Sequence, residues 1–99
     1  MDYFELKNVI ENWAQEKGII ADAEQMDLAM ATLQKTSKLC NAINNDERAE
    51  IIEAIGEIMV TLIIQAKMQD ISLESCLELA YNGQQSTDEA VIDESDDNS

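Results

Sequence analysis

The chain has 99 residues, of which 21 are acidic, six are lysine or arginine and none is histidine, giving a formal net charge of −15 at pH 7. This charge argues against direct binding to nucleic acid or to an anionic membrane, since both require basic side chains, and it indicates a cationic partner. The absence of histidine removes the commonest general base, so any hydrolytic chemistry would depend on carboxylates and a hard cation such as Mg²⁺.

The composition favours a single helical domain. The chain has no proline and only three glycines, and its length allows one hydrophobic core. Its longest apolar run, IMVTLIIQA, is about half of the ~20 residues that a membrane span needs, and MDYFELK lacks the basic region of a signal peptide. We therefore expect a cytoplasmic protein. We expect its two cysteines, Cys40 and Cys76, to be buried free thiols.

The first half of the chain predicts two helices. The first runs from about Tyr3 to Lys17 and ends at Gly18, a plausible C-cap. Its apolar stripe consists of Leu6, Ile10 and Trp13. The second helix runs from about Asp22, a candidate N-cap, to Asn44, and a turn at 44–46 follows it.

The second half predicts two more helices and a tail. A third helix, from Glu47 to about Gln69, is apolar nearly all round between Ile58 and Ala66, which predicts a central position and a second subunit covering it. A short fourth helix begins at Ser72 and ends at Gly83. The remaining residues, 84–99, include six acids and no base, which predicts a disordered tail. The body, residues 1–83, then holds fifteen acids against six bases, a net charge of −9.

Four stretches follow one another in a familiar order between Val9 and Asn82: VIENWAQEKGII, LQKTSKLCNAI, EAIGEIMVTLIIQAK and ISLESCLELAYN. Together they resemble the MazG-like family of all-α nucleoside triphosphate pyrophosphohydrolases, particularly its short phage-encoded members. The resemblance implies a homodimeric four-helix bundle. It also implies a site in which Glu-Glu-x-x-Glu on one helix and acids on the next hold Mg²⁺, which bridges the phosphates and activates water.

The chain departs from this pattern at the metal site. Gln34 and Lys35 stand at the paired glutamates and Lys38 at the third, while Glu53 and Glu57 remain on the next helix. The basic residues expected after the fourth helix are absent. Our hypothesis is that the two lysines neutralise the two glutamates, leaving a catalytically inactive pocket that needs no metal or other cofactor. In the alternative, both lysines extend into solvent.

Acidic residues recur at helical spacing over much of the body. Carboxylates one turn apart lie ~5–6 Å from each other at Cβ, in the range of the phosphate spacing along a DNA strand. Such rows on a rigid body would present a DNA-like field. The alternative is an ordinary solvated face, in which acids of first turns only complement helix dipoles. The candidate partner-binding residues are Glu11, Glu16, Asp22, Glu24, Asp46, Glu50, Glu53, Glu57, Glu74 and Glu78.

A phage-type scaffold, a degenerate site and strong negative charge resemble the phage DNA mimics that inhibit the bacterial nucleoid protein HU. This resemblance implies a non-catalytic host-takeover protein that binds a basic, HU-like protein, blocks its binding to DNA and is nucleoid-associated through that partner. One alternative is a divergent Mg²⁺-dependent pyrophosphohydrolase that uses Glu53 and Glu57. Another is a nucleotide sensor without turnover. Trp13 and Tyr81 are predicted to pack in the core rather than to stack on bases.

Overall fold

The computed structural model describes residues 1–19 and 24–91, with side chains for 1–19 and 24–85. Four helices pack together: α1 (Tyr3–Glu16), α2 (Gln25–Asn44), α3 (Arg48–Met68) and α4 (Leu73–Val91). The described residues form no strand, so the all-α prediction is confirmed. None of the helices in the described ranges is long and apolar enough to cross a membrane.

Helix α3 is the central element, as its all-round apolar stretch predicted. Each of the other three helices packs against α3, and α2 does so along most of its length. The buried cluster joins Ile63 and Ala66 of α3 to Leu73 of α4, with Ile10 of α1 packed against it. Small side chains allow the helices to approach closely, and the buried alanines of the described chain include Ala14, Ala42 and Ala54.

A tight turn makes α2 and α3 an antiparallel pair. Asp46 adopts a left-handed φ of 56°, and the N–H of Glu47 donates to the carbonyl of Ala42 at 2.9 Å. This is the Schellman pattern of helix ends, here with aspartate in the position that glycine usually takes. Because the turn is short, residues equally distant from it on α2 and α3 face each other.

The other helix ends largely follow the sequence signals. Ser72 caps α4 by accepting a hydrogen bond from the N–H of Ser75 at 3.1 Å, as predicted. Gly18 follows α1 with a φ of 75°, which only glycine adopts without strain, so its predicted capping role is confirmed. The predicted N-cap Asp22 lies outside the described residues, and α2 has Glu24 at its N-cap without a side-chain capping bond.

The predicted end of α4 at Gly83 is wrong, because the helix continues to Val91. A glycine ends a helix when it takes a left-handed conformation, and Gly83 is not among the residues with positive φ. The residues that follow include good helix formers and no proline, so nothing after Gly83 forces the helix to stop. The predicted disordered tail is therefore helical at 84–91, and residues 92–99 lie outside the described chain.

Several side chains predicted to be buried are exposed. Trp13 is 45% exposed and Tyr81 is 62% exposed, so assigning them to the core of a single chain is wrong. Cys40 is exposed and Cys76 is half-buried, so burial is also wrong for Cys40. The described residues contain no large side chain that is fully buried. A single copy of the chain therefore has a small core and much uncovered apolar surface.

Candidate functional site

The α2–α3 hairpin brings the predicted degenerate site together. The Nζ of Lys38 lies 3.1 Å from the Oε1 of Glu57 and 3.4 Å from the Oε1 of Glu53. The Nζ of Lys35 lies 3.7 Å from the same Glu57 oxygen. The predicted contact between these residues, hereafter the lysine–glutamate network, is confirmed, and the alternative with both lysines directed into solvent is wrong. Gln34 is an exposed neighbour on α2 and lies outside the network.

The electrostatics of the network favour the charged forms of Lys38 and Glu57. The hydrogen bond from Lys38 lowers the pKa of Glu57, and this effect exceeds the opposing effect of partial burial. The hydrogen bond to Glu57 likewise raises the pKa of Lys38. The network sets two lysines against two glutamates, so its formal charges balance. Its side chains are 32–57% exposed, so solvent screens the pairs and they orient the helices more than they stabilise them.

A partly buried hydrogen bond joins α2 to α3 beside the network. The hydroxyl of Thr61, a buried residue of α3, lies 2.8 Å from that of Thr32 on α2 and donates to the carbonyl of Ile58 at 2.7 Å. Sliding of one helix along the other would break this contact, although each hydroxyl would keep its hydrogen bond to a carbonyl of its own helix. The contact lies one turn from Lys35 and Glu57, and therefore helps to hold them opposite each other.

The geometry of the network is unsuited to a cation. A magnesium ion needs several oxygen ligands, whereas here two ammonium groups face the two carboxylates and would repel it. Among the residues that the structure describes, no group of three or more histidine, cysteine, aspartate or glutamate side chains is placed to hold a metal ion. Glu53 and Glu57 are the carboxylates of α3 that meet the lysines of α2.

A second ion pair, between Lys7 and Glu74, was not predicted from the sequence. The Nζ of Lys7 on α1 lies 3.0 and 2.9 Å from the two carboxylate oxygens of Glu74 on α4, and the Lys7 side chain is only 12% exposed. The hydrogen bond lowers the pKa of Glu74 and raises that of Lys7. The only signal in the sequence is the placement of Lys7 on the inner stripe of α1, between Tyr3 and Ile10.

Removing this pair will destabilise the protein in a pH-dependent way. Because the pKa of Glu74 is lowered in the folded state, the pair contributes stability above about pH 4.5 and loses it as pH falls through the lowered pKa. Because the pKa of Lys7 is raised, the contribution persists until alkaline pH. We expect Lys7→Met to lower the melting temperature by a few degrees at pH 7, and the difference from the natural protein to shrink below pH 4.5.

The control for this prediction is a double-mutant cycle with Glu74→Gln, which isolates the coupling between the two side chains. Melting curves by circular dichroism from pH 3 to pH 9 would measure it. A difference that stays constant across this range would contradict the assignment of the effect to the ion pair.

The candidate partner-binding acids differ in burial and in whether a lysine faces them. Glu53, Glu57 and Glu74 face lysines, so they add no unbalanced charge to the surface. Asp46 lies in the turn before α3 and not on the helix that carries Glu50. Glu11 is half-buried, and Asp22 lies outside the described residues. The remaining candidates are exposed and form no ion pair within the described ranges; they are Glu16, Glu24, Asp46, Glu50 and Glu78.

Comparison with known proteins gives no match. No family model matches the sequence, and neither a curated protein nor a solved structure shows detectable similarity to the chain. The resemblance to the MazG-like family therefore stays a prediction, and the functional argument depends on the geometry of the chain itself.

Proposed function

We propose that the protein is a non-catalytic, phage-type DNA mimic that binds the DNA-binding surface of a basic, HU-like nucleoid protein and blocks its access to DNA. The observation that carries this proposal is the lysine–glutamate network. The MazG-like resemblance implies that ammonium groups of the chain itself take the place of the cation of a pyrophosphohydrolase. In this proposal the protein acts as a homodimer in the bacterial host cell and is nucleoid-associated through its partner.

The distribution of acids supports the proposal. Lysines meet carboxylates within the fold at the two places described above, whereas exposed acids on all four helices or their ends have no counter-charge within the described residues. The helices hold these acids in fixed positions, as a duplex holds its phosphates. A rigid surface of one sign attracts a cationic protein over long range and accelerates encounter.

A competition experiment tests the proposal. A purified HU-like protein is bound to a labelled DNA duplex, and the acidic protein is added at increasing ratio at ~50 mM and ~300 mM salt, a range over which screening strengthens strongly. We expect DNA to be released at low salt and the release to weaken markedly at high salt. A polyglutamate peptide of equal net charge is the control for charge without structure. DNA that stays bound at tenfold excess and low salt would refute the proposal.

The alternative is a divergent Mg²⁺-dependent nucleoside triphosphate pyrophosphohydrolase. It is favoured by Glu53 and Glu57, which retain carboxylates one turn apart on the face of α3 that meets α2. Incubation with Mg²⁺ and a panel of nucleoside triphosphates, followed by pyrophosphate detection, tests this candidate against a Glu57→Gln control. We expect no turnover above that control. Turnover that the substitution abolishes would establish the enzyme instead.

A further inference from the structure

A partly enclosed cavity of about 410 Å³ lies between the first half of α1 and the middle of α3. Small-molecule sites in proteins typically have volumes of ~300–1,000 Å³. The walls are almost wholly apolar, and they include Leu6, Ile10, Met59, Val60 and Ile63. The described residues that line the cavity include no carboxylate, although the chain has 21 acids. The cavity is therefore an apolar site in a strongly acidic protein.

Gly56 adds to the space of the cavity from the α3 side. It lies in the middle of a helix, where glycine is less favourable than alanine. A Cβ added at Gly56 would meet no described atom within 4 Å outside its own stretch of helix, and its φ is not positive. Neither a turn nor a close helix contact therefore requires glycine here, and its missing side chain leaves volume open.

One polar group of the cavity lining has no hydrogen-bond partner. The hydroxyl oxygen of Tyr3 is buried and forms no hydrogen bond with the described residues. Such a group is unfavourable, and most buried hydroxyls in proteins find a partner. A buried water usually makes about three hydrogen bonds, which these apolar walls do not offer. Because Tyr3 lines the cavity, a molecule bound there can supply the missing acceptor.

The charges around the cavity favour a neutral ligand. Among the described lining residues only Lys7 is charged, and it already donates to both carboxylate oxygens of Glu74, at 3.0 and 2.9 Å. Its ammonium group would repel a cation. Burial raises the pKa of Tyr3, and the carboxylate of Glu74 raises it further, so a negative potential reaches the hydroxyl. An anionic head group beside Tyr3 would meet that potential.

We propose that the cavity between α1 and α3 binds a neutral, largely apolar small molecule with a carbonyl-type oxygen that accepts a hydrogen bond from the Tyr3 hydroxyl. The apolar walls supply the affinity, and the hydroxyl discriminates against a pure hydrocarbon. This site is separate from the proposed function, because neither the lysine–glutamate network nor any candidate partner-binding acid lines the cavity.

Methyl NMR of the full chain tests the proposal, because Met59 lines the cavity and the other methionines do not. Protein labelled at its methionine methyl carbons is titrated with butyrophenone, a neutral aromatic ketone. The parallel titration uses butylbenzene, in which a methylene replaces the carbonyl. We expect butyrophenone to shift the Met59 resonance saturably below ~1 mM, while Met26 and Met30 of α2 do not respond. Met59→Leu identifies the resonance.

Tyr3→Phe removes the hydroxyl and keeps the ring. We expect it to weaken butyrophenone binding about fivefold, as the loss of one hydrogen bond does, and to leave butylbenzene binding unchanged. Without ligand the melting temperature should not fall, because the hydroxyl has no partner within the described residues to lose. Equal losses for both compounds would contradict the role of the hydroxyl and with it the proposed class of ligand.

Gly56→Leu places a side chain in the cavity and should abolish binding of both compounds. The matched control is Gly83→Leu in α4, where an added Cβ likewise meets no described atom within 4 Å and which lies outside the cavity. It should retain binding, and circular dichroism shows whether each variant folds. A Met59 resonance that neither compound shifts would overturn the proposal. So would one that responds only to protein concentration, since a second copy would then cover the cavity.

Discussion

Replacing both lysines of the network by glutamate, as Lys35→Glu with Lys38→Glu, will make the stability of the protein depend on Mg²⁺. The network places each ammonium group within 3.7 Å of a Glu57 oxygen. After the exchange, four carboxylates will face one another across α2 and α3 and repel. Without metal we expect the melting temperature to fall. Millimolar Mg²⁺ should then raise it by several degrees, because a ligand that binds only the folded state stabilises that state.

The control is Lys17→Glu with Arg48→Glu, which makes the same change in net charge at two exposed positions outside the network. Mg²⁺ should leave the melting temperatures of this control and of the natural protein nearly unchanged. Thermal melting with Mg²⁺ or with a chelator measures the effect. A Lys35→Glu, Lys38→Glu protein that ignores Mg²⁺ would show that α2 and α3 do not form the remnant of a cation site.

We expect that reversing unpaired acids at the start of α3 will weaken binding to the proposed basic partner far more than an equal change elsewhere. Glu47 and Glu50 are exposed and form no ion pair within the described chain, and Asp46 lies beside them. Glu47→Lys with Glu50→Lys keeps Asp46, whose φ of 56° holds the turn. We expect the affinity for an HU-like protein at low salt to fall on the order of a hundredfold, since like charges across an interface are strongly unfavourable.

The matched variant is Glu16→Lys with Glu24→Lys, which changes the net charge equally at exposed acids near the α1–α2 connection. We expect this variant to lose less affinity, because it weakens only the overall negative electrostatic field of the protein. Binding measured over a salt series separates the two effects, because screening suppresses the general field first. Equal losses in both variants would show that no particular face docks, and no loss in either would contradict the DNA-mimic proposal.

The lysine–glutamate network was predicted from the resemblance to the MazG-like family, which aligns Lys35 and Lys38 with acids of one helix and leaves Glu53 and Glu57 on the next. In the structure the contact is local, because the short turn at 44–46 makes α2 and α3 antiparallel and so determines which residues face each other. Lys38 and Glu53 are fifteen residues apart in the chain, and their side chains lie 3.4 Å apart across this hairpin. The α1 and α4 caps are local in the same sense, since Gly18 and Ser72 act through backbone groups within a few residues.

Contacts between distant elements could not be predicted in this way. Lys7 and Glu74 are 67 residues apart, and no periodicity relates them. Their pairing depends on how α1 and α4 each pack against α3, which brings Lys7 next to Glu74. The incorrect prediction that α4 ends at Gly83 has a related cause. A glycine in a helix-forming context ends a helix only when the backbone there turns left-handed. Composition does not specify that conformation.

By itself, the sequence determined the helical class, the central place of α3 and the acidic character of the body, because propensity, apolar spacing and charge are properties of short segments. Only the tertiary structure decided which acids are neutralised and which apolar residues stay uncovered. Both depend on the relative placement of whole helices. Glu74 is paired because α1 brings Lys7 to it, whereas Ile55 stays 50% exposed although it lies on the helix against which the other three pack.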